Sequence, residues 1–183
     1  MTAPAEQKYA RIERERRFLL KEFPTGANVV RSLHIVDRYI HDTTLRLREQ
    51  KASDGTPVFK LTQKIAQPGE GAQQGIVTTI YLNQDEFCIL KQLPALTLSK
   101  VRYSVPPFGI DVFEGALEGL VLAEAEFDST VAAEALEIPP FAIREVSEDI
   151  RFTGGRLVRA SPDELRAWLA EYGMPAARSS AGT

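Results

Sequence analysis

Glu13-Arg14-Glu15-Arg16-Arg17-Phe18-Leu19-Leu20 is the stretch on which the reading of this chain turns. Five charged residues run directly into three apolar ones. In a helix, Glu13 and Arg17 stand four apart and form a favourable pair on a solvated face, and local propensity alone prefers that helix. In a strand, alternate residues share a face, so Glu13, Glu15 and Arg17 project together. Taken alone the stretch permits both conformations.

Charge on alternate residues recurs along the chain. Arg46 and Arg48 share one face, with Leu45 and Leu47 on the other. Lys60 and Lys64 pair in the same way beside Phe59 and Leu61. Lys100 and Arg102 alternate with Val101 and Tyr103, and Glu124 and Glu126 with Ala123, Ala125 and Phe127. The ordinary explanation is a sheet with one solvated face, as in a structural or protein-binding β-domain. Its cross-strand ion pairs then add only about 0.2–1 kcal/mol each.

Segregation by sign argues for something else. Two stretches present paired acids and three present paired bases, whereas solvated faces mix both signs with Ser, Thr, Asn and Gln. If the sheet closes, these faces line one lumen holding at least six basic and four acidic groups. Buried charges cost several kcal/mol each unless compensated. A polyanion bridged by divalent cations compensates both sets. Lys and Arg hold phosphate oxygens, Arg bidentately, while carboxylates hold Mg²⁺ or Mn²⁺, which favour oxygen ligands and substrate phosphates.

Composition agrees with this chemistry. The 183 residues, 44% hydrophobic and 26% charged, are enough for one globular domain with a real core. The single cysteine, Cys88, suits a reducing cytoplasm. With only two histidines beside it, a closed zinc site is excluded. No apolar run reaches the roughly 18 residues of a membrane span, and a net charge of −3 gives no global attraction to nucleic acid.

Residues 1–10 read as a flexible lead-in, 11–175 as one domain and 176–183 as a disordered tail. Asp54-Gly55 with Pro57 separates alternating stretches 39–49 and 58–64, as in a hairpin with a longer loop. Pro68, Gly69, Gly71 and Gly75 mark a loop before a strand at 77–82. Residues 98–105, 110–113 and 120–127 are strand-like. A short helix is expected at 83–92 with Asn83 as N-cap and Pro94 beyond its end, and another at 129–136. Ser161-Pro162-Asp163-Glu164 opens a last helix with a capping box, which runs to Tyr172 and stops at Gly173. These elements predict about seven strands, mostly antiparallel, in an all-β or α+β domain.

The ordered motifs resemble the CYTH superfamily, the triphosphate tunnel metalloenzymes. Glu13-Arg14-Glu15-Arg16-Arg17 stands in place of the family's opening Glu-x-Glu-x-Lys. Arg46-Leu47-Arg48 matches its Arg-x-Arg strand, Phe59-Lys60-Leu61-Thr62-Gln63-Lys64 its lysine strand, and Lys100-Val101-Arg102-Tyr103 its Lys-x-Arg-Tyr. Ile110-Asp111-Val112-Phe113-Glu114-Gly115, residues 119–127 and Glu145-Val146-Ser147-Glu148-Asp149-Ile150-Arg151-Phe152 complete the series. The resemblance spans about residues 11–157 and makes the first stretch a strand.

It implies an α+β fold, a closed eight-stranded antiparallel β-barrel with helices packed outside. It also implies a phosphohydrolase acting on inorganic, nucleoside or thiamine triphosphate with Mg²⁺ or Mn²⁺. A binding-only module and an adenylate cyclase are alternatives on the same scaffold. Carried over, Glu13, Glu15, Glu124 and Glu126 hold metal, with Asp111 a further ligand. Arg17, Arg46, Arg48, Lys60, Lys64, Lys100, Arg102 and Arg151 grip phosphate, and Glu13, Glu15, Arg17, Glu124 and Glu126 form the catalytic set. Asp149 and Arg151 are equally readable as an ion pair at the barrel rim. Two departures stand out. Arg17 replaces lysine, which favours polyanion binding over a lysine's proton chemistry, and residues 76–82 carry no charge where many members have an Arg-x-Glu pair.

Overall fold

The computed structural model describes residues 8–52, 55–66 and 74–174. Its strands are β1 (Arg11–Leu20), β2 (Arg31–Ile40), β3 (Leu45–Lys51), β4 (Val58–Ala66), β5 (Gln74–Leu82), β6 (Ala95–Val105), β7 (Phe108–Phe113), β8 (Val121–Phe127) and β9 (Ala142–Glu145). The helices are α1 (Gln84–Leu90), α2 (Thr130–Ala135), α3 (Gly154–Leu157) and α4 (Pro162–Glu171). The strands follow the order β5-β4-β3-β2-β6-β7-β8-β1, and a β5–β1 pairing closes the ring, with β9 added along β1. All these pairings are antiparallel. The first stretch is therefore a strand. Its local helix preference is outweighed because β1 is hydrogen-bonded to β8, β5 and β9.

Closure sorts the two faces. Outward-facing apolar residues are covered from outside: Phe18, Leu20, Ile110 and Ala123 pack with Leu136 and Phe141 beside α2. Leu47 and Phe59 pack under Phe87 of α1, whose ring stacks on Phe59 at 4.2 Å. On the inner face, charged rows turn apolar toward one end. There Leu19, Leu98, Phe113 and Leu122 meet Phe152, Leu157, Leu165 and Leu169 in the main core, which seals that end of the barrel. At about 25 cal/mol per Å² of apolar surface removed from water, each fully buried Leu or Phe contributes about 1.5–3 kcal/mol.

The expected helices are present. Asn83 and Ser161 both form reciprocal capping boxes, with Glu86 and Glu164. Ser129 caps α2, and Gly173 adopts a positive φ of 74° after α4. Three strand expectations change. The alternation across 39–49 is broken, because Tyr39 and Ile40 end β2 and the next strand begins at Leu45. Asp42 takes a positive φ of 56° there, and Thr43 ties the turn by donating to the Ile40 carbonyl at 3.0 Å and accepting from the Leu45 N–H at 3.0 Å. Strands β2 and β9 were not foreseen. Gly75 belongs to β5 rather than to a loop, opposite Glu13 and Ala66. A side chain there would press on the Lys64 stem, whose Cε lies 3.3 Å from the Cβ position. Asp54, Pro68, Gly69, Gly71, most of the expected lead-in and the whole expected tail lie outside the described residues. No helix among the described residues is long and apolar enough to cross a membrane.

Gly154 sits where the sealing segment touches the barrel. A Cβ there would collide with the Tyr39 hydroxyl and come within 3.1 Å of its ring carbon. Gly154→Ala is expected to destabilise the fold by about 1–3 kcal/mol, the usual cost of overpacking. A thermal melt would read this as a lower Tm.

Candidate functional site

The inner face encloses a cavity of about 1010 Å³. Glu13, Glu15 and Arg17 of β1, Arg46 and Arg48 of β3, and Lys60 and Lys64 of β4 all line it. So do Lys100 and Arg102 of β6 and Glu124 and Glu126 of β8. The pleat brings them together, since the members of each pair stand two residues apart, or four for Lys60 and Lys64, on the concave side of their strand.

Apart from Lys60, the lumen cations already have carboxylate partners among the described residues. Lys64 Nζ bridges Glu13 at 2.6 Å and Glu15 at 3.1 Å. Arg102 ties β6 to β7 and β8 through Asp111 at 2.6 Å and through Glu124. Arg11 faces Glu126 at 3.6 Å near the mouth. Arg17 is 1% exposed, with Nε 3.5 Å from Glu15 and Nη2 donating to the Ser147 carbonyl at 3.3 Å. Its backbone N–H donates to Ser147 Oγ at 2.9 Å, and its carbonyl accepts from the Val146 N–H. Glu145 clasps Arg16 from outside at 2.5 Å. The Glu145-Val146-Ser147 motif thus pins strand β1 from behind.

Glu15 and Glu124 are diagonal neighbours on the adjoining strands β1 and β8, and each feels the other's charge. Burial, and then the charge of Glu124, push the Glu15 carboxyl up against the pull of Lys64 and Arg17. Burial would also raise Glu124, but Arg102, Lys100 and Arg17 outweigh it and hold that carboxyl well below the usual range.

Two expected site residues stand elsewhere. Asp111 is fully buried beneath the lumen floor, salt-bridged to Lys100 and Arg102, and does not line the cavity. Arg151 also lies off the cavity. It pairs with Asp149 at 2.7 Å and Glu171 at 2.8 Å, as the rim ion-pair alternative has it. The 3-10 turn over residues 150–152 directs Arg151 toward α4.

The sequence reading missed Asp37. It is 1% exposed and bonds Arg48 through two contacts of 2.6 and 2.7 Å. Its only signal is the inner row Leu33, Ile35, Asp37, Tyr39, in which a lone acid hides among apolar side chains. The inner row of β5, Val77, Thr79 and Tyr81, is uncharged. Facing it, the Lys60 ammonium lies 5.2 Å from the Tyr81 ring centroid.

No family model matches the chain. An inorganic triphosphatase from Nitrosomonas europaea is 35% identical over 163 residues, covering 82% of this chain and 99% of that protein. The chain belongs to the CYTH superfamily. Two solved structures extend the likeness to the fold. One described as an inorganic triphosphatase has a TM-score of 0.54 and 29% identity, covering 82% of this chain and 96% of that one. The other, described as a hypothetical protein, has a TM-score of 0.55 and 28% identity over 82% and 99% of the two chains. This CYTH chain has the family's closed eight-stranded barrel, with charged rows inside and helices outside.

Proposed function

We propose that this barrel is a divalent-metal-dependent triphosphate phosphohydrolase. The observation that carries the reading is the meeting, in one cavity, of paired acids on the adjoining strands β1 and β8 with paired bases on β3, β4 and β6. Similarity to an inorganic triphosphatase supports inorganic triphosphate as the first substrate to try.

The donor set fits such a metal in a particular way. Among the described residues no three His, Cys, Asp or Glu side chains converge closely enough to cage an ion by themselves. Mg²⁺ is ordinarily held by one or two carboxylates completed by phosphate oxygens. The four lumen glutamates, Glu13, Glu15, Glu124 and Glu126, are hard oxygen donors of that kind. The Lys64 ammonium already occupies a cation position between Glu13 and Glu15. When bound, Mg²⁺ or Mn²⁺ would supply charge neutralisation on the phosphate oxygens.

The chain's own groups do the rest. Arg46, Arg48, Lys64, Lys100 and Arg102 would hold the phosphates in line, and Arg17, fixed to Ser147, would add a charge-assisted donor. Glu15, with its raised affinity for protons, is suited to take a proton from the attacking water. That water's oxygen bonds to the terminal phosphorus as the bond to the bridging oxygen breaks. Inorganic triphosphate then gives orthophosphate and pyrophosphate. Positioning and charge stabilisation dominate such reactions. The exposed Cys88 suits a reducing cytoplasm.

The test is orthophosphate release from inorganic triphosphate, thiamine triphosphate and ATP, with Mg²⁺, Mn²⁺ or chelator. Metal-dependent release is expected. Thermal stabilisation by triphosphate without release, across both metals and a range of pH, would establish binding alone.

Lys60 gives a narrower expectation. Among the described residues the other lumen bases each have a carboxylate within ion-pair distance. Lys60 lies over Tyr81 instead. Burial, with the nearby Arg48 and Arg46, holds its ammonium below the usual lysine range. An incoming phosphate would relieve that repulsion. Lys60→Ala is expected to raise KM about tenfold, equivalent to about 1.4 kcal/mol, with kcat nearly unchanged in steady-state assays.

A further inference from the structure

Asp37 has no direct part in the proposed hydrolysis, yet it is the most enclosed carboxylate on the cavity wall. Arg48 Nε donates to its Oδ1 at 2.6 Å and Arg48 Nη2 to its Oδ2 at 2.7 Å, while Arg46 Nε stands 3.6 Å from Oδ1. Burial alone would raise this carboxyl, but Arg48 and Arg46 outweigh it and hold it ionised.

The same construction occurs a second time. Arg102 Nε and Nη2 grip Asp111 at 2.6 Å each, and Lys100 completes that group. In both places the aspartate is the direct cross-strand neighbour of the arginine, Asp37 opposite Arg48 and Asp111 opposite Arg102. In both, the second base precedes the arginine by two residues on the same strand. Two separate strand pairs, β2–β3 and β7–β6, therefore carry one clamp. A two-point grip fixes a guanidinium plane, which a single charge contact does not. It also leaves Arg48 Nη1 without a protein partner among the described residues. That donor is available to a ligand in the cavity.

We propose that Asp37 is a positioning residue, holding the Arg48 and Arg46 side chains in the orientation in which they meet phosphate oxygens. The proposal rests on the reading of the cavity as a triphosphate hydrolase site. Losing the clamp has two opposed effects on substrate binding. The lost negative charge strengthens attraction for a polyanion, whereas the loosened forks weaken it. Orientation matters most in the transition state, where a displacement of about 1 Å can cost about 100-fold. The effect therefore falls on kcat rather than on KM.

The experiment compares Asp37→Asn and Asp37→Glu with wild type, using inorganic triphosphate and saturating Mg²⁺. Arg48 Nε–H is followed by NMR in ligand-free protein. Asp37→Asn is expected to lower kcat about 10–100-fold with KM within about threefold, and to lose the slow exchange of Arg48 Nε–H. Asp37→Glu keeps the charge, and with it the folded state, but moves the oxygens by one methylene. It is expected to lower the Tm by a few degrees through overpacking and, assayed where it is folded, to lose about tenfold in kcat. A purely electrostatic or structural aspartate would instead leave the folded Asp37→Glu protein with wild-type kcat. That result, or an Arg48 Nε–H signal indifferent to Asp37→Asn, overturns the proposal. If wild type releases no phosphate, the hydrolase reading fails by itself, and the NMR comparison still decides the clamp.

Discussion

Glu124→Gln is expected to lower kcat for orthophosphate release from inorganic triphosphate by at least about 100-fold, the loss typical of removing one preorganised electrostatic group. Glu124 stands on the inner row of β8, directly opposite Arg17 of β1, and receives Arg102 from β6. It is thus the carboxylate at which the acidic and basic walls meet. Glutamine keeps the size and one acceptor oxygen but removes the charge that would help hold a divalent cation. Arg102 stays anchored by Asp111, so the variant should fold. A second signature separates this loss from general damage. Glu15 is raised by burial and next by the charge of Glu124. Without that charge Glu15 loses a proton at lower pH, so the acid limb of the residual kcat/KM profile should move toward lower pH. The sign follows because a base must be deprotonated to work, and removing a neighbouring anion makes deprotonation easier. Activity within threefold of wild type, or an acid limb moving the other way, would remove Glu124 and Glu15 from the proposed catalytic set.

Period-two charge was the part of this molecule most open to reading from sequence. Glu13 and Glu15, Arg46 and Arg48, Lys100 and Arg102, and Glu124 and Glu126 stand two apart in the sequence, which puts each pair on one strand face, and all of them line one cavity. Alternation works because a strand has only two faces, and closing the sheet makes one of them an interior. The capped helices were equally legible, since a capping box is a local device written in four residues. Strand β2 was not. Its inner row is apolar except for Asp37, so it carries no run of like charge, and the Asp42 turn lies inside what otherwise reads as continuous alternation. Arg151 and Asp111 show a different limit. Both stand in charged motifs, but motif position does not say toward which neighbour a side chain turns. Arg151 is drawn outward by Asp149 and Glu171. Asp111 is held under the floor by two bases that themselves face the lumen. Such choices depend on partners remote in sequence.

The position of Asp111 leads to the other large expected effect, on stability. Asp111→Asn should cost about 3–5 kcal/mol, the usual penalty for leaving buried partner charges uncompensated. For a chain of this size that corresponds to a Tm lower by roughly 6–20 °C. The carboxylate is completely enclosed and serves two cations at once. Without it, Lys100 retains the Phe113 ring at 5.2 Å as a neighbour and no carboxylate at ion-pair distance among the described residues. An amide offers one acceptor oxygen and no net charge, so it cannot balance both bases. The same substitution separates the two roles open to this aspartate. A metal ligand would leave the melting temperature nearly intact and raise the Mg²⁺ concentration needed for half-maximal activity by a large factor. A counter-ion under Lys100 and Arg102 would lower the melting temperature and leave that concentration within about twofold, assayed where the variant is folded. Inorganic triphosphate should then restore more of the melting temperature in Asp111→Asn than it adds to wild type, because the ligand's negative charge replaces the one removed. Unchanged melting combined with a large shift in metal requirement would return Asp111 to the metal site.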